Sequence, residues 1–350
     1  MQPTSIQPVR LAVKWLLGLA VGSILVAFAA PLFVESNKSY VWDAELEAFV
    51  IREGTFRFRH EGFSNTYIGA HGFAGVDNVN SSDSYALWGD SQVQGLCVND
   101  RWKIANLAST REVGLLPIAK GGDDVVDWYS KIPLAESAFK VKGHFLLVTD
   151  LQDMYPNGSD FIAAPDYEIR TKTQTKTDPP RMNSLKANVD RFQLSFVLLA
   201  AKNLFFEPRS MQRRKLRFAV GPAPTKQIET IEHSITDVAL SDTWKSLMPD
   251  LASRSSKPIV IVYCPTVPTI VNNHVSFKDP AENQFQLLSE AALEHGIDTI
   301  DLTDRMIESY QESAQFPHGF HNGKLGRGHL NPVGNQIIAD AICDYISENR

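Results

Sequence analysis

Three stretches of this chain carry residues whose types and spacing suit acyl-transfer chemistry. The first is Gly89-Asp90-Ser91, which follows the apolar run Tyr85-Ala86-Leu87-Trp88. The run reads as a buried strand, and the glycine lets the chain turn where a helix can begin. A serine at such a turn is exposed and close to free backbone N–H groups, as a nucleophile requires. The second is Gly121-Gly122, just after an apolar run at 113–119. Glycines there let backbone N–H groups approach a ligand, although a plain strand-to-helix turn uses the same residues. The third is a glycine-rich loop ahead of the last helix that holds His318, His321 and His329 within twelve positions. A lone loop histidine is usually a surface residue. Three at the sheet end where α/β folds bind ligands suit a proton-transfer role.

The elements that must position these residues follow from apolar patterning. Strands are expected at 85–88, 113–119, 144–149, 258–264 and 297–302, with helices at 92–107, 124–139, 280–295 and 331–348. Alternating strands and helices predict an α/β fold, a flavodoxin-like doubly wound parallel sheet of about five strands flanked by helices. Residues 35–83, with alternating apolar positions punctuated by Gly and Asn, read as short strands or a hairpin ahead of that sheet. Within them His60 and His71 have no partner at metal-ligand spacing and read as surface or packing residues. Residues 160–256 read as an insertion into a domain spanning 84–348. The insertion holds a helix at 228–251, an apolar helical stretch within 184–206 and the basic cluster 209–217. That cluster reads as a solvated face, or as a contact for anionic lipid or an acidic polymer.

Residues 15–34 run for twenty positions without a charge, long enough to cross a bilayer at about 1.5 Å per residue. Arg10 and Lys14 precede the run, so the positive-inside rule places 1–14 in the cytoplasm and the remaining chain outside the cell membrane. A signal peptide cut near Ala27-Phe28-Ala29 is the other reading, and Pro31 with the long apolar core favours an uncleaved anchor.

Composition sets further bounds. The 350 residues are 43% hydrophobic and 21% charged, ordinary for a globular chain able to bury a sizeable core. A net charge of −6 argues against a nucleic-acid partner, since no basic field is available to neutralise phosphates. Cys97, Cys264 and Cys343 form no disulfide framework or metal pair and read as buried thiols. No metal or cofactor fingerprint occurs, and no Gly-x-Gly-x-x-Gly follows the first sheet strand.

The words Gly-Asp-Ser-x-x-x-Gly at 89–95 and His-Leu-Asn-x-x-Gly at 329–334, in this order around five strands, resemble the first and last blocks of the SGNH (GDSL-type) hydrolases. The resemblance covers residues 84–348 and implies that Ser91 is the nucleophile and His329 the general base. It also implies an oxyanion hole from the backbone N–H of Ser91 and of Gly121 or Gly122, with Gly122 the better match. Two positions depart from the family. Its aspartate three residues before the histidine is Gly326 here, so orienting His329 falls to a backbone carbonyl, to a distant acid such as Asp304, or to nothing, leaving a Ser–His pair. Its oxyanion asparagine falls on a strand that here ends in Asp150 and Asp153. An ionised carboxylate there would repel an oxyanion, so Asp150 is expected to turn away or to stay protonated.

The function these readings imply is an extracytoplasmic serine esterase, acting through an acyl-serine on an O-acyl (acetyl) ester of a carbohydrate or envelope polymer. An exopolysaccharide O-acetyltransferase would use the same site with a sugar hydroxyl as acceptor. A catalytically weakened module that binds glycans or assists envelope assembly is the alternative outside enzymology.

Overall fold

The apolar runs assemble into one parallel sheet, and the residues proposed for chemistry stand at its carboxyl edge. The computed structural model describes residues 6–33, 35–36, 38–59, 61–76, 83–155 and 237–349. Helix α1 (Ile6–Phe33) belongs to one compact unit, and the described chain from Lys38 onward belongs to another. The segment expected to anchor the chain falls on α1, where Trp15, Leu16, Leu19 and Phe28 are exposed. Among the described residues no helix is long and apolar enough to cross a membrane. The side chains at 26–27 and 29–34 lie outside that set.

The second unit opens with two antiparallel pairs, β1 (Tyr40–Asp43) with β2 (Ala48–Ile51), and β3 (Gly54–Phe58) with β4 (Ser64–Ile68). Next come β5 (Ser84–Gly89), the one-turn helix α2 (Ser91–Gln94), α3 (Ile104–Ser109) and β6 (Gly114–Ala119). They are followed by α4 (Val125–Phe139), β7 (His144–Val148), α5 (Asp237–Ser253) and β8 (Ile259–Tyr263). The hairpin β9 (Thr269–Val271) and β10 (His274–Ser276) leads to α6 (Glu282–Glu294), β11 (Asp298–Asp301), α7 (Thr303–Ser313) and α8 (Pro332–Glu348).

The central sheet has the order β11-β8-β7-β5-β6, parallel at every pairing. Numbered by appearance, that is 2-1-3-4-5, the doubly wound order in which a crevice opens where the winding direction reverses. Here the reversal falls between β5 and β7, so the residues after Gly89 emerge at the crevice.

Alternation along the strands divides the core in two. Ala86, Trp88, Leu146 and Ile261 face one side, with Trp128 and Ile132 of α4, Trp244 of α5 and Leu288 of α6. Leu87, Phe145, Leu147 and Val262 face the other, with Ala108 of α3 and Ile338 and Ile342 of α8. Each large side chain buried in this way contributes about 1.5–3 kcal/mol. Beneath the nucleophile strand, Trp88 Nε1 donates to His144 Nδ1 at 3.0 Å, and His144 Nε2 meets Glu136 Oε1 at 3.0 Å. Burial holds this histidine below its ordinary value, so it serves as a neutral link rather than a titrating group.

The five strands and the helices α4, α6 and α8 fall where the patterning places them. The continuous helix expected at 92–107 does not form. It ends after one turn because Gly95 takes a left-handed conformation (φ 53°, ψ 38°), and the chain resumes as α3 at Ile104. The expected helix at 228–251 is described only as α5 from Asp237, and the stretches 184–206 and 209–217 lie outside the described residues. Helix α7 and the β9–β10 hairpin were not anticipated.

Candidate active site

Gly89 ends β5 because a Cβ there would sit 2.4 Å from Val93 Cγ2, so only glycine allows α2 to start this close. Asp90 is the N-cap, its Oδ1 accepting from Gln92 N–H at 2.8 Å. Ser91 thus occupies the first helical position. At the other end of α2, buried Lys103 donates from Nζ to the carbonyls of Gly95 (2.5 Å) and Gln94 (3.4 Å), which a single-turn helix leaves without partners. Burial lowers this lysine to about 8.

The loop bearing His329 is held by the start of α8 and by its own hydrogen bonds. Asn331 caps α8 through Val333 N–H at 2.9 Å, and its Nδ2 donates to the Gly319 carbonyl at 3.0 Å. Gly319 N–H donates to the His329 carbonyl at 2.8 Å. A Cβ on Gly334 would lie 2.5 Å from the Pro317 carbonyl oxygen. In His-Leu-Asn-x-x-Gly, then, the asparagine starts the helix and the glycine lets it pack against the loop.

These two supports bring Ser91 and His329 together, with His329 Nε2 lying 3.0 Å from Ser91 Oγ. The other imidazole nitrogen, Nδ1, meets Glu61 Oε2 at 2.7 Å. An ionised carboxylate only accepts, so Nδ1 carries the proton and Nε2 offers its lone pair to the serine. The Ser91 hydroxyl also lies 3.1 Å from Asp90 Oδ2, and its one proton serves one acceptor at a time. His329 is 30% exposed and Glu61 13%, so the imidazole is reachable from solvent while the carboxylate is shielded. The Phe58 ring stands edge-on to the imidazole, with centroids 6.5 Å apart.

Glu61 comes from the turn between β3 and β4, which is fixed on two sides. Thr66 Oγ1 donates to the Val98 carbonyl at 3.3 Å, Asn65 N–H to Asn99 Oδ1 at 3.0 Å and Tyr67 N–H to Asp100 Oδ2 at 3.0 Å. On the other flank Gly62 N–H donates to Asn322 Oδ1 at 2.9 Å. Gly62 is left-handed (φ 73°), and a Cβ there would meet the Cys97 carbonyl oxygen at 2.0 Å. The base loop leaves room for the carboxylate, since a Cβ on Gly328 would stand 2.8 Å from Glu61 Oε1 and one on Gly323 would stand 3.3 Å from Glu61 Cγ.

The two glycines after β6 differ. A Cβ on Gly121 would touch Ser91 Cβ at 3.6 Å, whereas one on Gly122 (φ 85°) meets nothing within 4 Å. Gly121, rather than the better-matching Gly122, therefore lies against the serine. The turn is anchored by the buried pair Asp123–Lys131, at 2.7 Å.

Glu61, not Asp304, meets His329 Nδ1. Asp304 is in the first turn of α7. Asp150, on the strand where the resembled family carries its oxyanion asparagine, caps the turn that follows, its Oδ1 accepting from Gln152 N–H at 3.0 Å. Gly326 cannot be exchanged for an acid without strain, because it is left-handed (φ 68°) and a Cβ there would lie 3.0 Å from the Phe316 ring. Sequence reasoning missed Glu61. The available signal was indirect: Gly323 and Gly328 leave space beside His329 that some other segment has to fill.

Asp153 follows Asp150 in the turn Leu151–Met154, and the charges of Asp90, Asp150 and Asp124 reach it from the ends of three neighbouring strands. Burial first, and then these charges, push its carboxyl up to about 8. Of the other loop histidines, His318 is fully buried with Nδ1 3.4 Å from the Gly328 carbonyl oxygen, and burial lowers it to about 4. Cys97, Cys264 and Cys343 are buried and none is in a disulfide. His71 pairs with Asp43 at 2.9 Å. Among the described residues no group of three or more His, Cys, Asp or Glu is placed to hold a metal ion.

No family model matches the chain, and no curated protein matches it. A solved structure similar to part of it is LAE5, described as an alpha/beta hydrolase enzyme from the metagenome of Lake Arreo, Spain. The identity is 12% and the TM-score 0.36, over 76% of this chain and 96% of that one. So slight a likeness carries neither fold nor activity across. The class of protein rests on the chain's own geometry: an α/β fold with a five-stranded parallel sheet flanked by helices and a Glu–His–Ser line at its carboxyl edge.

Proposed function

We propose that the chain is an SGNH-type serine hydrolase acting on an O-acyl ester of a carbohydrate or envelope polymer. The observation that carries this reading is the line Glu61 Oε2–His329 Nδ1 at 2.7 Å and His329 Nε2–Ser91 Oγ at 3.0 Å. In this mechanism Ser91 Oγ attacks the ester carbonyl while its proton passes to His329 Nε2. The tetrahedral oxyanion is met by backbone N–H groups at Ser91 and Gly121. Collapse breaks the bond to the alcohol oxygen, which takes the proton from Nε2 and leaves an acyl-serine. A water then gives a proton to His329 Nε2 and attacks the acyl carbon; collapse breaks the bond to Ser91 Oγ, which takes the proton back from Nε2 as the acid leaves. With a sugar hydroxyl in place of water, the same steps make an O-acetyltransferase. The weakened-module reading is favoured by Gly326 and by Asp150, and Glu61 supplies a carboxylate in place of the acid missing at Gly326.

An extracytoplasmic site held to the membrane by the N-terminal segment is part of the proposal. It is supported by the uncharged run 15–34 behind Arg10 and Lys14, and by the exposed apolar side chains of α1. The test is labelling of the full-length chain with a fluorophosphonate probe beside Ser91→Ala and His329→Ala. Labelling of the wild type that disappears in both variants supports an activated serine. A folded wild type that stays unlabelled overturns the enzyme reading in favour of a glycan-binding module.

A further inference from the structure

We propose that Gln92 is a positioning residue that sets the distance between Ser91 and His329 by gripping the main chain on both sides of the histidine. The inference deepens the serine-hydrolase reading and rests on it. Gln92 directly follows the serine on α2. Its Oε1 accepts from Leu330 N–H at 2.8 Å, and its Nε2 donates to the Gly328 carbonyl at 3.4 Å. A primary amide has one acceptor end and one donor end, as a peptide group does. Gln92 therefore treats residues 328 and 330 as a neighbouring strand would, with His329 held between its two contacts.

The other main-chain contacts of this segment come from elsewhere. Gly319 N–H, within the base loop, donates to the His329 carbonyl at 2.8 Å. His318, also in the loop, faces the Gly328 carbonyl oxygen from Nδ1 at 3.4 Å. Cys97 Sγ donates weakly to the Leu330 carbonyl at 3.7 Å. The Gln92 bonds alone among these start from α2 itself, one residue from the nucleophile. A helix of one turn has little rigidity of its own. The loop bearing His329 is held by hydrogen bonds and glycine turns rather than by a strand or helix. A direct tie between the two fixes the Ser91–His329 separation, and an error of about 1 Å at such a pair can cost on the order of 100-fold in rate.

The experiment compares the full-length wild type with Gln92→Met, of similar length but without donor or acceptor, and Gln92→Glu, which keeps the acceptor for Leu330 N–H. Fluorophosphonate labelling is followed across pH, and the His329 imidazole resonances are recorded by NMR. The expected result is about a 10- to 100-fold slower labelling of Gln92→Met, partial recovery in Gln92→Glu, and shifted His329 resonances in the folded Met variant. Wild-type labelling rates in both variants overturn the proposal, as do unchanged His329 resonances. A wild type that does not label sinks the hydrolase reading instead, and the resonances still decide whether Gln92 positions the imidazole. Should Gln92→Met fail to fold, the rate and spectrum of Gln92→Glu decide.

Discussion

Glu61 and His329 are 268 positions apart in the chain and meet at 2.7 Å, carboxylate to Nδ1. The acid reaches the histidine from the turn of an upstream hairpin, not from the loop that bears the base. A carboxylate that accepts at Nδ1 fixes the imidazole tautomer and leaves Nε2 free for the serine proton. Gly323 and Gly328 are the loop's counterpart to that arrival, their missing side chains being replaced by the glutamate.

Glu61→Gln keeps the shape and loses the charge. The amide can present its NH2 to the imidazole and reverse the tautomer, so kcat is expected to fall about 100- to 10,000-fold with little change in Tm. Steady-state kinetics on a chromogenic acyl ester, with a thermal melt, checks this. A variant with more than half of wild-type activity would remove Glu61 from the relay.

An aspartate installed at the family's usual place is not expected to rescue it. In Glu61→Gln/Gly326→Asp the new residue would have to hold φ near 68° with its Cβ 3.0 Å from the Phe316 ring. That backbone strain costs about 1–2 kcal/mol before any steric term. The double variant should melt below the single one and regain no activity.

Activity is expected to fall as the pH rises through about 8, where Asp153 ionises. Its negative charge would join those of Asp90, Asp124 and Asp150 at the strand ends where the proposed mechanism forms an oxyanion. The folded value lies above the ordinary 3.8. The stability this carboxyl contributes is therefore fully present below about pH 4 and lost as the pH passes about 8. Asp153→Asn should flatten the alkaline limb of the rate profile and raise Tm at pH 9 relative to the wild type. An unchanged profile would detach Asp153 from the site.

Asp123→Ala leaves the Lys131 ammonium buried without its partner. Removing one member of a buried pair costs about 3–5 kcal/mol, and here the pair also anchors the turn that carries Gly121. Denaturant unfolding should show that loss, whereas Asp123→Ala/Lys131→Met should regain most of it. If the double variant were as unstable as the single, the packing of the turn rather than the ion pair would be responsible.

The sheet was legible because parallel strands buried on both faces leave near-continuous apolar runs, as in Ile259–Tyr263. Capping residues made α4 and α8 readable, through Asp124 and through Asn331 with Pro332. The helix at 92–107 was misread because its polar and apolar residues suit a helix, while Gly95 and the buried Lys103 end it after one turn. Ser91 and His329 were readable from the short words around them. Glu61 was not, since nothing local separates it from the other carboxylates, and its partner is chosen by how a hairpin docks on Val98, Asn99 and Asp100.

The hairpin that bears Glu61 precedes β5, and the loop that bears His329 follows β11. During synthesis Glu61 is made before any strand of the central sheet and His329 after all of them. A nascent chain can therefore bury most of its sheet with the serine turn complete and still lack a proton acceptor. If the proposed mechanism holds, ester cleavage would report that the β3–β4 hairpin and the loop bearing His329 have both docked beside Ser91.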